Sequence, residues 1–141
     1  MAAAAKASPI PLRRFAVRTG RQGEFEAERA IVADDPYQCG HYPDYSIYPG
    51  VFIVENVVRA ALAALADAFP GRAWRLHCLR SGRFTAPVRP GDRLLVHGTF
   101  TMDEQIGRIR VRARCLRGDG VAAATVRLTF APEEVVDADA Q

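Results

Sequence analysis

Residues 50–68, GVFIVENVVRAALAALADA, decide the fold. Pro49 stands just before the run and Phe69-Pro70-Gly71 just after it, so the run starts and stops where a helix can. On a helical wheel its apolar side chains go almost all the way round, which predicts a helix buried on most of its faces. The first turn, Val51-Phe52-Ile53-Val54, is β-branched and aromatic and has little helical propensity of its own. Glu55, Asn56, Arg59 and Asp67 break the apolar run, so a membrane span is not expected.

Downstream of the helix the pattern changes to strands, predicted over 73–84, 92–102, 106–117 and 120–131. Pro87 and Pro90-Gly91-Asp92 separate the first two. Gln105-Ile106-Gly107 and Arg117-Gly118-Asp119-Gly120 are hairpin turns, the second carrying an Asp-Gly signal. Arg108, Arg110, Arg112 and Arg114 alternate strictly with Ile109, Val111, Ala113 and Cys115, which predicts a sheet with one wet and one dry face. Upstream, residues 12–19 and 24–33 read as two more strands joined by a turn over Gly20–Gly23. In the second of these, Phe25, Ala27 and Arg29 alternate with Glu24, Glu26 and Glu28. One long apolar helix and a meander of half-apolar strands give an α+β two-layer domain, with the antiparallel sheet wrapped around the helix. At 141 residues the chain fits one such domain, with loose tails expected at 1–11 and 132–141.

Composition narrows the function. The formal charge is only +3 and the basic residues do not form one run, so nucleic acid is not expected; the balance suits an acidic partner. The three cysteines, Cys39, Cys78 and Cys115, include no C-x-x-C pair, which argues against disulfides and zinc and for a reducing cytoplasm. The N-terminus lacks the apolar core of a signal peptide.

Between the second strand and the helix lies an irregular segment, 34–49, kept irregular by Pro36, Gly40, Pro43 and Pro49. It carries Gly40-His41-Tyr42-Pro43-Asp44 and then Tyr48-Pro49-Gly50-Val51-Phe52-Ile53-Val54-Glu55. Acid–base chemistry at a carbon beside a carbonyl needs a base for the proton, a second group to assist whatever leaves, and donors for the charge that develops on the carbonyl oxygen. His41 can be the base at neutral pH. Glu55, early in an apolar helix, is costly unless used or paired. Gly50 and Val51 offer the unpaired N–H groups of the helix start, and Gly50 allows close approach.

This segment resembles the signature of the FabZ-type 3-hydroxyacyl-[acyl-carrier-protein] dehydratases: G-H-F-P-G, a short variable stretch, then P-x-x-P-G-V-L-x-x-E-A. His41 and Glu55 are fourteen residues apart and Gly50 stands nine after His41, both as in the family. Gly82-Arg83-Phe84-Thr85-Ala86-Pro87-Val88-Arg89-Pro90-Gly91-Asp92 is similar to the family's R-F-x-x-P-V-x-P-G-D, which supports the fold more than the chemistry. The resemblance covers roughly 12–131. It implies the hotdog fold and a dimer whose sites take His41 from one protomer and Glu55 from the other. It further implies an acyl tunnel along the helix, with Tyr42, Tyr48, Phe52 and Arg59 as substrate-binding residues, a substrate delivered on acidic acyl carrier protein, and no metal or cofactor.

Three departures from the family stand out. Asp44 replaces a glycine, and a carboxylate there would raise the pKa of His41. Arg59, four residues after Glu55, would pair with it and keep it ionised, favouring a carboxylate that accepts hydrogen bonds over one that donates a proton. The N-terminal L-P-H-R segment is missing. The changes suggest a divergent member serving a specialised fatty-acyl or polyketide pathway. They leave open a half-site partner within a heterodimer of two hotdog proteins. A hotdog thioesterase is a third possibility, opposed by the intact His41-to-Glu55 spacing. His77 and His97 read as ordinary sheet residues without acidic neighbours along the chain, Cys39 as a packed side chain, Tyr45 as a wall of the loop, and the Arg108–Arg114 ladder as a solvated face or a carrier-docking surface.

Overall fold

A computed structural model describes residues 12–19, 22–31 and 47–133. In chain order the elements are β1 (Leu12–Thr19), β2 (Gln22–Ala30), α1 (Gly50–Ala68), β3 (Trp74–Phe84), β4 (Arg93–Asp103), β5 (Arg108–Arg117) and β6 (Ala122–Pro132). The six strands form one sheet in the order β1-β2-β4-β5-β6-β3. Every neighbouring pair is antiparallel. The chain leaves the sheet after β2, near one edge, and re-enters at β3, the opposite edge. The helix between them must therefore cross the sheet, and it packs against β1, β2, β3, β4 and β6. This is the α+β arrangement that the sequence predicts.

The helix bounds agree with expectation at both ends. Pro49, with φ −62° and ψ 143°, is extended and sets the start, and Phe69 closes the end by donating its N–H to the Leu65 carbonyl. Weak propensity in the first turn is overridden by burial. Ile53, Val57, Ala60, Ala61, Ala64 and Leu65 lie in the core, together with Leu94, Val96, Ile109, Val111, Val126, Leu128 and Phe130 from the sheet. The arginine ladder alternates as expected: Ile109, Val111, Ala113 and Cys115 are buried, while Arg110, Arg112 and Arg114 are exposed. Burial pushes the Cys115 thiol up to about 12, which removes thiolate chemistry at neutral pH.

Strand boundaries differ from expectation by one to three residues, for local reasons. β2 begins at Gln22 rather than 24 and takes Gly23 into the ladder, because Gly23 faces Phe100 across the strands. A Cβ on Gly23 would lie 2.2 Å from the Phe100 ring, and one on Gly98 2.0 Å from the ring of Phe25, its own cross-strand neighbour. The two Phe–Gly pairs interlock, so each ring fills the space left by the facing glycine. β2 ends at Ala30; Ile31 then exchanges backbone bonds with the 91–92 turn, donating to the Asp92 carbonyl at 2.9 Å and accepting from Gly91 at 2.8 Å. β5 starts at Arg108 rather than 106 because Gly107 takes φ 65° in the turn. β6 starts at Ala122 because Arg117–Gly120 forms a tight turn, with Asp119 accepting from the Arg117 guanidinium at 2.7 Å and from the Val121 N–H at 3.1 Å. At its other end β6 continues to Pro132, one residue into the segment expected to be a tail. The expected tails at 1–11 and 134–141, and the turn at 20–21, lie outside the described residues.

His97 departs from expectation in its surroundings. It is unaccompanied by acid along the chain, but register places Glu26 directly opposite, with Nδ1 3.2 Å from Oε1.

Candidate active site

Contacts of Tyr48 help fix the segment that leads into the helix. The Tyr48 N–H donates to the Val88 carbonyl at 2.6 Å. The Tyr48 hydroxyl accepts from the Asn56 carboxamide at 2.8 Å, and its ring packs on Phe52 with centroids 5.6 Å apart. Asn56, 1% exposed, is the buried hub: its amide also donates to the Phe52 carbonyl at 2.9 Å, and its oxygen accepts from Arg29 of β2 at 3.4 Å. A carboxamide placed there would be costly without these partners. It ties the entry to the helix, the first helical turn and the sheet into one unit.

Beside the helix start lies an open cleft of about 440 Å³, lined by Ile47, Tyr48, Gly50, Ile53, Phe84 and the Thr85–Val88 stretch. Its walls are mostly apolar. Gly50 forms the floor, and a Cβ there would lie 3.0 Å from the Phe84 ring, so glycine leaves the space between ring and helix open. The Phe52 and Ile53 amides donate back to the Pro49 carbonyl, whereas Gly50 and Val51 precede the first intrahelical bond. No side chain caps the helix at Pro49. The positive end of the helix dipole thus meets an apolar cleft, an arrangement that favours a developing oxyanion.

Glu55 sits on the same helix one and a half turns on. Its Oε1 accepts from the Arg59 Nε at 2.9 Å, the i,i+4 pair that the sequence predicts. Both side chains are partly exposed and neither lines the cleft at Gly50.

Among the expected site residues, Gly50 and Tyr48 thus converge on the cleft. The Val51 side chain points away from it, 67% exposed, which leaves only its backbone amide for the role expected of it. Phe52 is half-buried against Tyr48 and lies off the cleft wall. Arg59 is bound to Glu55. His41, Tyr42, Asp44, Tyr45 and Cys39 lie outside the described residues. Two contributions escaped sequence reasoning. The Arg83-Phe84-Thr85-Ala86-Pro87-Val88 motif, assigned to the fold, supplies one wall of the cleft; its match to a family pattern was the available signal. Asn56 stood out only as a polar break in the apolar run, and nothing named its side-chain partners, which lie eight and twenty-seven residues away. Among the described residues no group of three or more His, Cys, Asp or Glu could hold a metal ion, and no helix is long and apolar enough to cross a membrane.

Comparison with known proteins bears on this site. Residues 17–125 match the model of the ApeI-like family, described as ApeI dehydratase. A 3-hydroxyacyl-[acyl-carrier-protein] dehydratase FabZ from Thermus thermophilus is 36% identical over 110 residues, covering 75% of each chain. The FabZ of Latilactobacillus sakei is 35% identical over 111 residues, covering 77% of this chain and 78% of its own. Among solved structures, a hypothetical thioesterase from Streptococcus pneumoniae, determined with coenzyme A, superposes with a TM-score of 0.68 at 10% identity, over 87% of this chain and 84% of its own; at that identity the likeness shows the fold alone.

Proposed function

Since the chain belongs to the FabZ-type dehydratase family, with the hotdog fold, we propose that it converts 3-hydroxyacyl thioesters on acyl carrier protein to trans-2-enoyl thioesters, with His41 and Glu55 as the catalytic pair. The observation that carries this is the glycine-floored apolar cleft at the free amides of the helix, one and a half turns before Glu55. The thioester oxygen accepts from the Gly50 and Val51 N–H groups, and the acyl chain lies against Tyr48, Ile53 and Phe84. The His41 imidazole removes the proton from the carbon beside the carbonyl. The electron pair of that bond becomes the new double bond, and the bond from the β-carbon to the hydroxyl oxygen breaks. Glu55, held by Arg59, accepts a hydrogen bond from the departing hydroxyl and orients it. The imidazolium then returns its proton, and water leaves. The step needs no redox cofactor and no metal.

The reading includes a second copy of the chain. Among the described residues β3 is an edge strand, paired on one side only, and Arg75–Phe84 are all exposed, including Leu76, Leu79 and Phe84. A long edge bearing apolar side chains is a template for strand pairing. Pairing there brings a partner next to Phe84 and the cleft, so that Glu55 of one protomer completes a site with His41 of the other. The setting is fatty-acyl synthesis or a specialised polyketide route, in the cytoplasm. The thioesterase alternative has only the shared fold in its favour.

Glu55→Ala tests the carboxylate. It is expected to lower kcat by about 100-fold or more, while Glu55→Gln, which keeps an accepting oxygen, retains more activity than Glu55→Ala. Steady-state dehydration rates of the two variants check the order. Equal losses would contradict the orienting role.

A further inference from the structure

Asn56 directly follows Glu55, but about 100° of helical rotation separates the two side chains. Glu55 reaches solvent and Arg59, whereas Asn56 is 1% exposed and faces Arg29 of β2. It does not line the cleft and has no part in the steps proposed above. The FabZ-type pattern has alanine at this place, after the glutamate, so the carboxamide is an addition of this chain.

A buried carboxamide has two protons and one oxygen to satisfy. The Phe52 carbonyl can only accept and the Arg29 guanidinium can only donate, so these two fix which way round the group sits. Nδ2 turns to the Phe52 carbonyl at 2.9 Å and Oδ1 to Arg29 at 3.4 Å. The remaining Nδ2 proton goes to the Tyr48 hydroxyl at 2.8 Å. Turning the group over would set its oxygen against the Phe52 carbonyl and its amide against the guanidinium, and both bonds would be lost. The carboxamide is thus held from two sides and presents one donor, in one direction, to Tyr48.

The bond from residue 56 to residue 48 closes a ring of chain that contains Pro49, Gly50 and Val51. The helix start has no side-chain cap bond at Pro49 that would hold these amides locally. Tyr48 is instead clamped at both ends: its hydroxyl by Asn56, and its backbone N–H by the carbonyl of Val88 in the cleft wall, at 2.6 Å. Donors to a developing charge act only when placed within a fraction of an ångström, and a misplacement of about 1 Å costs about 100-fold.

We infer that Asn56 is a positioning residue: through the Tyr48 hydroxyl it holds the Gly50 and Val51 amides where the thioester oxygen develops charge. The inference rests on the function proposed above. Its test separates position from stability. Asn56→Leu/Tyr48→Phe removes both members of the bond at nearly constant shape, an exchange that costs little stability, and the partly exposed Arg29 can turn to water. Asn56→Ser keeps a hydroxyl for the Phe52 carbonyl but does not reach Tyr48. Both are compared with wild type on a 3-hydroxybutyryl group carried by acyl carrier protein, with urea midpoints measured alongside. Each variant should lose about tenfold or more in kcat, with KM changed by less than about threefold. The apolar pair should keep its midpoint within about 0.5 M.

Amide hydrogen exchange adds a readout that needs no turnover. Exchange at Tyr48 should accelerate by about tenfold or more, relative to Val111 buried in the middle of the sheet. A hub that serves stability alone would leave the apolar pair with wild-type kcat, or would move Tyr48 and Val111 together; either result overturns the inference. Should the pair fail to fold, Asn56→Ser decides by the same two readouts. A wild type that does not dehydrate the substrate refutes the proposed function, and an unchanged Tyr48 exchange rate in the variants overturns the positioning role whether or not that function stands.

Discussion

His41→Ala is expected to reduce dehydration by at least about 100-fold, and by as much as ~10⁴-fold, with the fold intact. The size follows from the role. In the proposed step His41 both removes the carbon-bound proton and returns it to the departing hydroxyl, and neither of the other two imidazoles is placed to substitute. His97 is engaged with Glu26 across the strands, and His77 lies on the exposed β3 edge. The described cysteines offer no replacement base either: Cys115 is buried and held protonated, and Cys78 lies exposed on β3. Alanine leaves the amides at Gly50 and Val51 in place, so thioester binding should fall far less than kcat. Single-turnover rates and KM for the variant check this split. Turnover within threefold of wild type would remove His41 from the mechanism.

Phe100→Ala is expected to cost about 3–5 kcal/mol of stability. Phe100 is buried at 1% exposure, fills the space above Gly23, and meets Phe69 edge-on with ring centroids 6.0 Å apart. The facing glycine has no side chain with which to fill the void, and the ladder on both sides holds the strands apart. A cavity therefore persists, and the aromatic contact at the helix end is lost with it. Small domains are stable by only about 5–15 kcal/mol, so the variant should be near its limit at ambient temperature. Urea denaturation followed by circular dichroism gives the number. A midpoint shift worth less than about 1 kcal/mol, at unchanged slope, would show that the site collapses freely.

The fold was legible wherever a periodicity existed to be read. Pro49 and Phe69-Pro70-Gly71 bracketed the helix, and the arginine ladder assigned both faces of β5. What escaped was register. Nothing along the chain says that Phe25 will meet Gly98, that Phe100 will meet Gly23, or that Glu26 will face His97, because these pairings exist only once β2 and β4 are aligned. For the same reason Gly23 read as part of a turn rather than a strand. The candidate site shows the same division. The Glu55–Arg59 pair is local, separated by one helical turn, and was foreseen. The Asn56 hub draws on Tyr48 and on Arg29 from another element, and the cleft wall comes from residues 84–88, so both depend on tertiary assembly. A polar residue within an apolar helix could have been flagged as one needing partners, but no sequence signal named them.

The most direct test of the catalytic claim is a mass-spectrometric assay of the wild-type protein with 3-hydroxyacyl chains of several lengths on acyl carrier protein. Loss of one water from the acyl group, with the thioester intact and the reaction reversible from the trans-2-enoyl side, is the predicted result. Release of free carrier thiol with no enoyl product would contradict it.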